Sequence, residues 1–135
     1  MADFTVSRIP ELGDRGLAGS NGILPDFRKR LLGDTGALAP GIGAWIRVPE
    51  NAIRIVHLYS HDLLAATAIG SPIVEIHGAS DLHQTTPDLS PFVLLGTLNS
   101  AVLKLLVTEP WSYMRAKVTT AGAVAVQVGL VCEHD

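Results

Sequence analysis

The sequence predicts an all-β protein: an antiparallel β-sandwich over residues 45–135, preceded by an extended Gly/Pro-rich N-terminal arm over residues 1–44. Three observations carry this reading. After residue 44, about seven short runs of β-branched and aromatic residues are separated by Gly, Pro, Asn and Ser turns. Two late segments alternate apolar and polar residues with period two. No strand–helix–strand rhythm appears, which argues against a parallel α/β sheet and for two antiparallel layers that bury their apolar faces against each other.

Eight of the 13 glycines precede residue 44, with Pro10, Pro25 and Pro40 among them. Glycine costs backbone entropy and proline removes a donor, so long regular elements are disfavoured there. Asp26–Leu32 is the exception and reads as a short helix, capped by Asp26 and ended by Gly33. The strands follow. Trp45–Val48 ends at Pro49, and Ala52–Ser60 is rich in β-formers. Ile73–His77 follows Pro72 and stops at Gly78, and Phe92–Leu98 follows Pro91. Val102–Val107 follows an Asn99-Ser100 turn, although Ala101–Leu106 also suits a short helix. In Tyr113–Thr119, Met114, Ala116 and Val118 share one face, while Arg115, Lys117 and Thr119 share the other. Val124, Val126, Val128 and Leu130 alternate with smaller or polar residues, and the link Thr120-Ala121-Gly122 has hairpin length. Residues 63–69 suit a helical turn or a loop.

Composition narrows the function classes. The 135 residues suit one domain. Only 17% are charged, against about 25% in an ordinary soluble chain. A surface with so few ions is expected to be covered in part by partners. The net charge of −3 lacks the basic excess of a dedicated nucleic-acid binder, so direct nucleic-acid binding is not expected. The lone Cys132 excludes an internal disulfide. The start Met1–Val6 has no basic-then-apolar signal pattern, and the apolar runs are too short for a membrane helix.

No catalytic constellation stands out. His57 and His61 lie four apart in a strand, which separates their Cα atoms by roughly 13 Å, too far for one metal ion. His77, Asp81 and His83 are closer in sequence, but polar loop and strand-end roles explain them. Cys132 and His134 sit beside each other near the end of the chain, a poor place to hold a nucleophile and its base in fixed geometry. Phosphate-cradling glycine motifs are absent. No cofactor, metal site or enzymatic activity is expected. Arg28-Lys29-Arg30 reads as a solvated or intersubunit charge patch.

Two segments carry a family likeness. A strand leads into Gly78-Ala79-Ser80-Asp81-Leu82, and a second strand runs through Phe92-Val93-Leu94-Leu95-Gly96-Thr97. Then come Pro110-Trp111-Ser112-Tyr113-Met114-Arg115-Ala116-Lys117-Val118-Thr119 and a valine-alternating last strand. This order, over roughly residues 53–131, resembles the small β-sandwich proteins of tailed-phage virions and, more distantly, discoidin-like sandwiches. The resemblance implies a jelly-roll or discoidin-like sandwich in a non-enzymatic virion component that decorates or cements a capsid or builds tail parts.

The expected function is therefore that of a capsid decoration protein made in the host cytoplasm and carried on the virion. Its expected state is a homo-oligomer, with a trimer as the working guess, bound to the major capsid protein or another virion protein. The expected assembly contacts lie in the arm: Phe4, Ile9, Leu12, Leu17, Ile23, Leu24, Phe27, Arg28, Lys29, Arg30, Leu31 and Leu32. Covering each apolar anchor contributes about 1.5–3 kcal/mol, opposed by about 1–2 kcal/mol per residue ordered. The alternatives are a tail-associated protein, a carbohydrate- or peptide-binding sandwich using loop 78–91, and a small metal-dependent enzyme using the histidines.

Overall fold

The computed structural model describes residues 27–49, 52–61 and 69–134. Among them are nine strands: β1 (Phe27–Arg30), β2 (Gly41–Ile42), β3 (Ile46–Arg47), β4 (Ala52–Ser60), β5 (Ile73–Ala79), β6 (Val93–Asn99), β7 (Lys104–Val107), β8 (Tyr113–Thr120) and β9 (Val126–His134). A single 3-10 turn occupies Pro87–Leu89.

The strands form an antiparallel β-sandwich. Sheet A has the order β1-β9-β4-β7, and sheet B has the order β2-β8-β5-β6, with β3 also paired to β8. Counting β2 and β3 as one interrupted strand gives a nested pattern. The first strand pairs with the last, the second with the next to last, and so on inward to the adjacent pair β5 and β6. That nesting, rolled into two layers, is a jelly roll.

Period-two patterning sorts side chains between core and surface. On β4, Arg54, Val56, Leu58 and Ser60 are buried, while Ile53, Ile55, His57 and Tyr59 are half-buried on the outer face. β8 turns Met114, Ala116 and Val118 inward, and β9 turns Val126, Val128, Leu130 and Cys132 inward. Val74, Ile76 and Leu98 complete the interior from β5 and β6. Each such side chain removed from water contributes about 1.5–3 kcal/mol before ordering costs.

The interior also holds Arg54. Its Nη1 donates to the Glu109 carbonyl, and its Nη2 donates to the carbonyls of Pro49 (2.8 Å) and Trp111 (3.1 Å). One guanidinium thereby ties the loops before β4 and before β8 to the core. Gln127, also buried, works similarly at the other end. Its Oε1 accepts from the Leu32 amide (2.9 Å), and its Nε2 donates to the Gly33 carbonyl (2.7 Å).

Residues 27–44 correct the expected arm. The Asp26–Leu32 helix is not formed; Phe27–Arg30 is a strand, in register with β9 from Phe27↔Cys132 to Arg30↔Gly129. An exposed edge strand can carry charges along its length, so its run of cations did not mark a helix. Leu31, 2% exposed, lies in this subunit's own core instead of serving as an intersubunit anchor. The sandwich therefore starts no later than residue 27, and the expected boundary at residue 44 falls inside it. The chain comes very close to itself here: a β-carbon on Gly43 would collide with the Leu31 carbonyl oxygen. That glycine separates β2 from β3.

One connection differs from expectation. The link 120–122 is not a hairpin, because β8 belongs to sheet B and β9 to sheet A. The expected Asn99-Ser100 turn and the strand after it do form, and the alternative Ala101–Leu106 helix does not: Asn99 Oδ1 accepts from the amides of Ala101 (2.8 Å) and Val102 (2.9 Å) in an Asx turn. The chain then enters β7 in the opposite sheet. Residues 63–68 of the expected helical turn or loop lie outside the described residues.

Candidate functional site

Directly opposed residues in an antiparallel pair share a face. Glu75 opposes Lys117 and His77 opposes Arg115 on the outer face of sheet B. Arg115 Nε donates to His77 Nδ1 at 3.0 Å. That leaves the imidazole proton on Nε2, which donates to Glu75 Oε1 at 3.0 Å. Arg115 Nη1 donates to the Asp88 carbonyl at 3.2 Å. The guanidinium carbon lies 4.3 Å from the Trp45 ring centroid and 5.1 Å from that of Phe92. His77 stacks on Phe92 at 3.9 Å, and Trp45 Nε1 donates to the Pro87 carbonyl at 2.9 Å. Burial, above all, holds the His77 imidazole below its ordinary range; the Glu75 hydrogen bond opposes this and the Arg115 charge adds to it. His77 and Arg115 are both buried. The network straps the 80–92 connection onto the sheet and spends its polar atoms within the chain, which is a structural role.

Beside this strap lies a cleft of about 420 Å³, lined by Gly78–His83, Pro91–Val93 and Trp111. It is the loop region expected to hold a ligand. The chain bends at Ser80-Asp81, where Asp81 Oδ1 accepts from the Leu82 amide at 2.9 Å. His83 Nδ1 accepts from the amides of Thr85 (3.3 Å) and Thr86 (3.1 Å). Ser90 Oγ accepts from the His83 amide and donates to the Pro87 carbonyl, both at 2.7 Å. Leu82, Phe92, Val93 and Trp111 supply the apolar wall.

A second cleft, about 460 Å³, opens on sheet A among Arg28, Lys29, Arg30, Asp34, His57, Tyr59 and Gly129–Val131. Burial holds the His57 imidazole below its ordinary range, helped by the charges of Lys104 and Arg28. His61 is separate, with its Nδ1 3.4 Å from Gln127 Nε2. Cys132 is buried on β9, and burial raises its thiol pKa. Among the described residues, no group of three or more His, Cys, Asp or Glu side chains gathers to hold a metal.

The third feature is an apolar side of the sandwich. β6 is an outer strand of sheet B and β7 an outer strand of sheet A. Val93 and Leu94 on β6, Val102 and Leu103 in the turn, and Leu106 on β7 are all exposed, as are neighbouring Leu89 and Phe92. Leu106 is 61% exposed and Leu94 52%. Strand edges with open backbone groups and apolar flanks favour pairing with another chain.

Of the expected assembly contacts, Phe4, Ile9, Leu12, Leu17, Ile23 and Leu24 lie outside the described residues. Phe27, Arg28, Lys29 and Arg30 form β1, with the three basic residues exposed. Leu32 is half-buried against the core. The exposed β6–β7 side is not visible in the sequence, because Val93, Leu94 and Leu106 look like any core-facing strand residues until the edge positions are known.

The chain matches no protein-family model and no curated protein. Among solved structures it is similar to the SPBc2 prophage-derived protein YomS, with 13% identity and a TM-score of 0.47, over 84% of this chain and 100% of that one.

Proposed function

We propose that this chain is a non-enzymatic structural protein of a phage virion, a capsid decoration protein that acts as a homo-oligomer on the outer shell. The observation that carries the assembly half is the exposed apolar side made by β6 and β7. The resemblance of residues 53–131 to small phage sandwiches supports the virion half. Lys104 is the charged residue of β7, and β6 carries none. So nothing on this side selects an oppositely charged partner. A second copy presents the same apolar side, which is what a two-fold, isologous interface pairs. In this reading residues 1–26, with Phe4, Ile9, Leu12, Leu17, Ile23 and Leu24, make the further contacts to a neighbour or to the major capsid protein. Many modest contacts repeated over a shell gain avidity.

Light scattering at micromolar concentration tests the assembly half. The expected result is a discrete oligomer that Leu106→Lys and Leu94→Lys convert to monomer without loss of the β-sheet circular dichroism spectrum. A monomeric wild-type chain overturns it. Co-sedimentation with assembled phage heads tests the virion half, and failure to bind them overturns that half alone.

A second reading rests on the cleft that brings Trp111 and Phe92 beside Ser80 and Asp81. Aromatic faces next to short polar side chains suit a sugar ring. A glycan screen in which Trp111→Ala abolishes a hit supports this reading, and a screen without hits removes it.

A further inference from the structure

The aromatic wall of the Trp111 cleft is fixed from behind. A β-carbon on Gly78 would lie 2.8 Å from Trp111 Cδ2 and 2.9 Å from Cγ, so the indole rests directly on the β5 backbone. Its Nε1 donates to Glu109 Oε1 at 3.3 Å, which orients the ring. Phe92 is backed in the same way by the His77 imidazole, 3.9 Å from it and within 15° of parallel. Rings held in place before a ligand arrives lose little freedom when one does.

The polar part of the lining offers both signs of hydrogen bond. Asp81 uses Oδ1 for the Leu82 amide, and its carboxylate keeps Oδ2 as an acceptor. His83 Nδ1 accepts from the amides of Thr85 and Thr86. An imidazole that accepts at Nδ1 carries its proton on Nε2, so His83 offers one N–H donor. The Ser80 hydroxyl can act in either sense. All three side chains line the cleft and are exposed.

A pyranose ring matches this set. Its C–H face is apolar and packs on the electron-rich face of an aromatic ring. Its rim carries adjacent hydroxyls, each a donor and an acceptor, so one can donate to a carboxylate while its neighbour accepts from an imidazole N–H. A hydrogen bond to a carboxylate is stronger than one between neutral groups. The same carboxylate repels a sugar that is itself an anion.

We infer that the cleft selects a neutral hexopyranose, seated with its C–H face on Trp111 and two adjacent hydroxyls on Asp81 and His83, an assignment that rests on the sugar reading above.

The test uses the full chain, with the Trp111 indole signals followed by NMR. The probes are the methyl glycosides of glucose, galactose and mannose, with methyl glucuronide as the anionic comparison. At least one neutral glycoside should move the Trp111 signals, and the glucuronide should bind more weakly than the best of them. Asp81→Asn keeps an oxygen for the Leu82 amide but removes the charge. His83→Asn keeps an acceptor near the Nδ1 position but removes the Nε2 donor. Each should weaken binding about tenfold or more, while the thermal midpoint stays near wild type because both side chains are exposed. Binding that Trp111→Ala abolishes, but that both Asn variants leave at full strength, overturns the inference and retains the sugar reading. Glucuronide binding tighter than that of every neutral glycoside does the same. Trp111 signals that respond to none of the probes overturn both.

Discussion

Arg115 Nε donates to His77 Nδ1 across 3.0 Å, in a pair drawn from strands 38 residues apart. The bond fixes the imidazole tautomer, and with it the direction of the bond to Glu75. Removing the guanidinium strands an imidazole nitrogen and the Asp88 carbonyl, and takes away the cation held by Trp45 and Phe92. Arg115→Ala is expected to cost about 3 kcal/mol. Arg115→Lys should recover only part of this, because an ammonium lacks the fork that reaches His77 and Asp88 together. Urea denaturation of the two variants checks both statements.

Stability should fall on mild acidification. The His77 and His57 imidazoles are each held below the ordinary 6.5, chiefly by burial. Unfolding returns both to that value, so below it the unfolded chain binds more protons than the folded one. Their contribution is complete above pH 6.5 and declines as pH drops towards the folded pKa values, where the loss levels off. Urea midpoints measured from about pH 7.5 down to about pH 5 should decrease. His77→Gln should flatten that decrease, and an unchanged slope would refute the role given to His77.

The buried guanidinium of Arg54 is expected to tolerate neither shortening nor neutralisation. Arg54→Lys loses at least one of three carbonyl contacts, and Arg54→Met loses all three, leaving Pro49, Glu109 and Trp111 carbonyls without this donor. Expected losses are about 2 and about 3 kcal/mol. Thermal melts followed by circular dichroism give the ranking, which should be wild type, then Lys, then Met.

Two truncations should behave differently. Deleting residues 1–26 leaves every described strand of the sandwich in place. Deleting residues 1–32 removes β1 from sheet A and takes Leu31 out of the core. Loss of Leu31 alone should cost about 2–5 kcal/mol, so the longer deletion is expected to melt far lower or fail to fold. Equal melting temperatures for the two would show that β1 contributes nothing.

Gly129→Ala places a methyl group against the imidazole of His57. The ring must swing away, breaking its stack on Tyr59, at a cost of about 1 kcal/mol. The His57 and Tyr59 ring signals should shift together, whereas the core methyl signals should not.

Much of the fold is legible in the sequence because most strands announce themselves locally. Ala52–Ser60 coincides with β4, and the alternation of Met114, Ala116 and Val118 against Arg115 and Lys117 marks both faces of β8. What is not legible depends on distant partners. Phe27–Arg30 has the composition of a helix and becomes a strand only because β9 offers it an edge. The link 120–122 has hairpin length, but length does not reveal whether a chain turns within a layer or crosses between layers. The site is less legible still. The approach of Trp111 to Gly78, of Arg115 to His77, and of Arg28 and Lys104 to His57 follows from the roll of the sheets.

The nested strand order bears on how the protein is made. β9, last of the nine strands, sits in the middle of sheet A, flanked by β1 and β4. Until Val126–His134 has left the ribosome, the earlier strands of that layer have a gap where their central partner belongs. The nascent chain must keep a half-built layer from pairing with its neighbours until the final strand arrives, so folding is closed late and by sequence-distant contacts, a regime in which rates are slow.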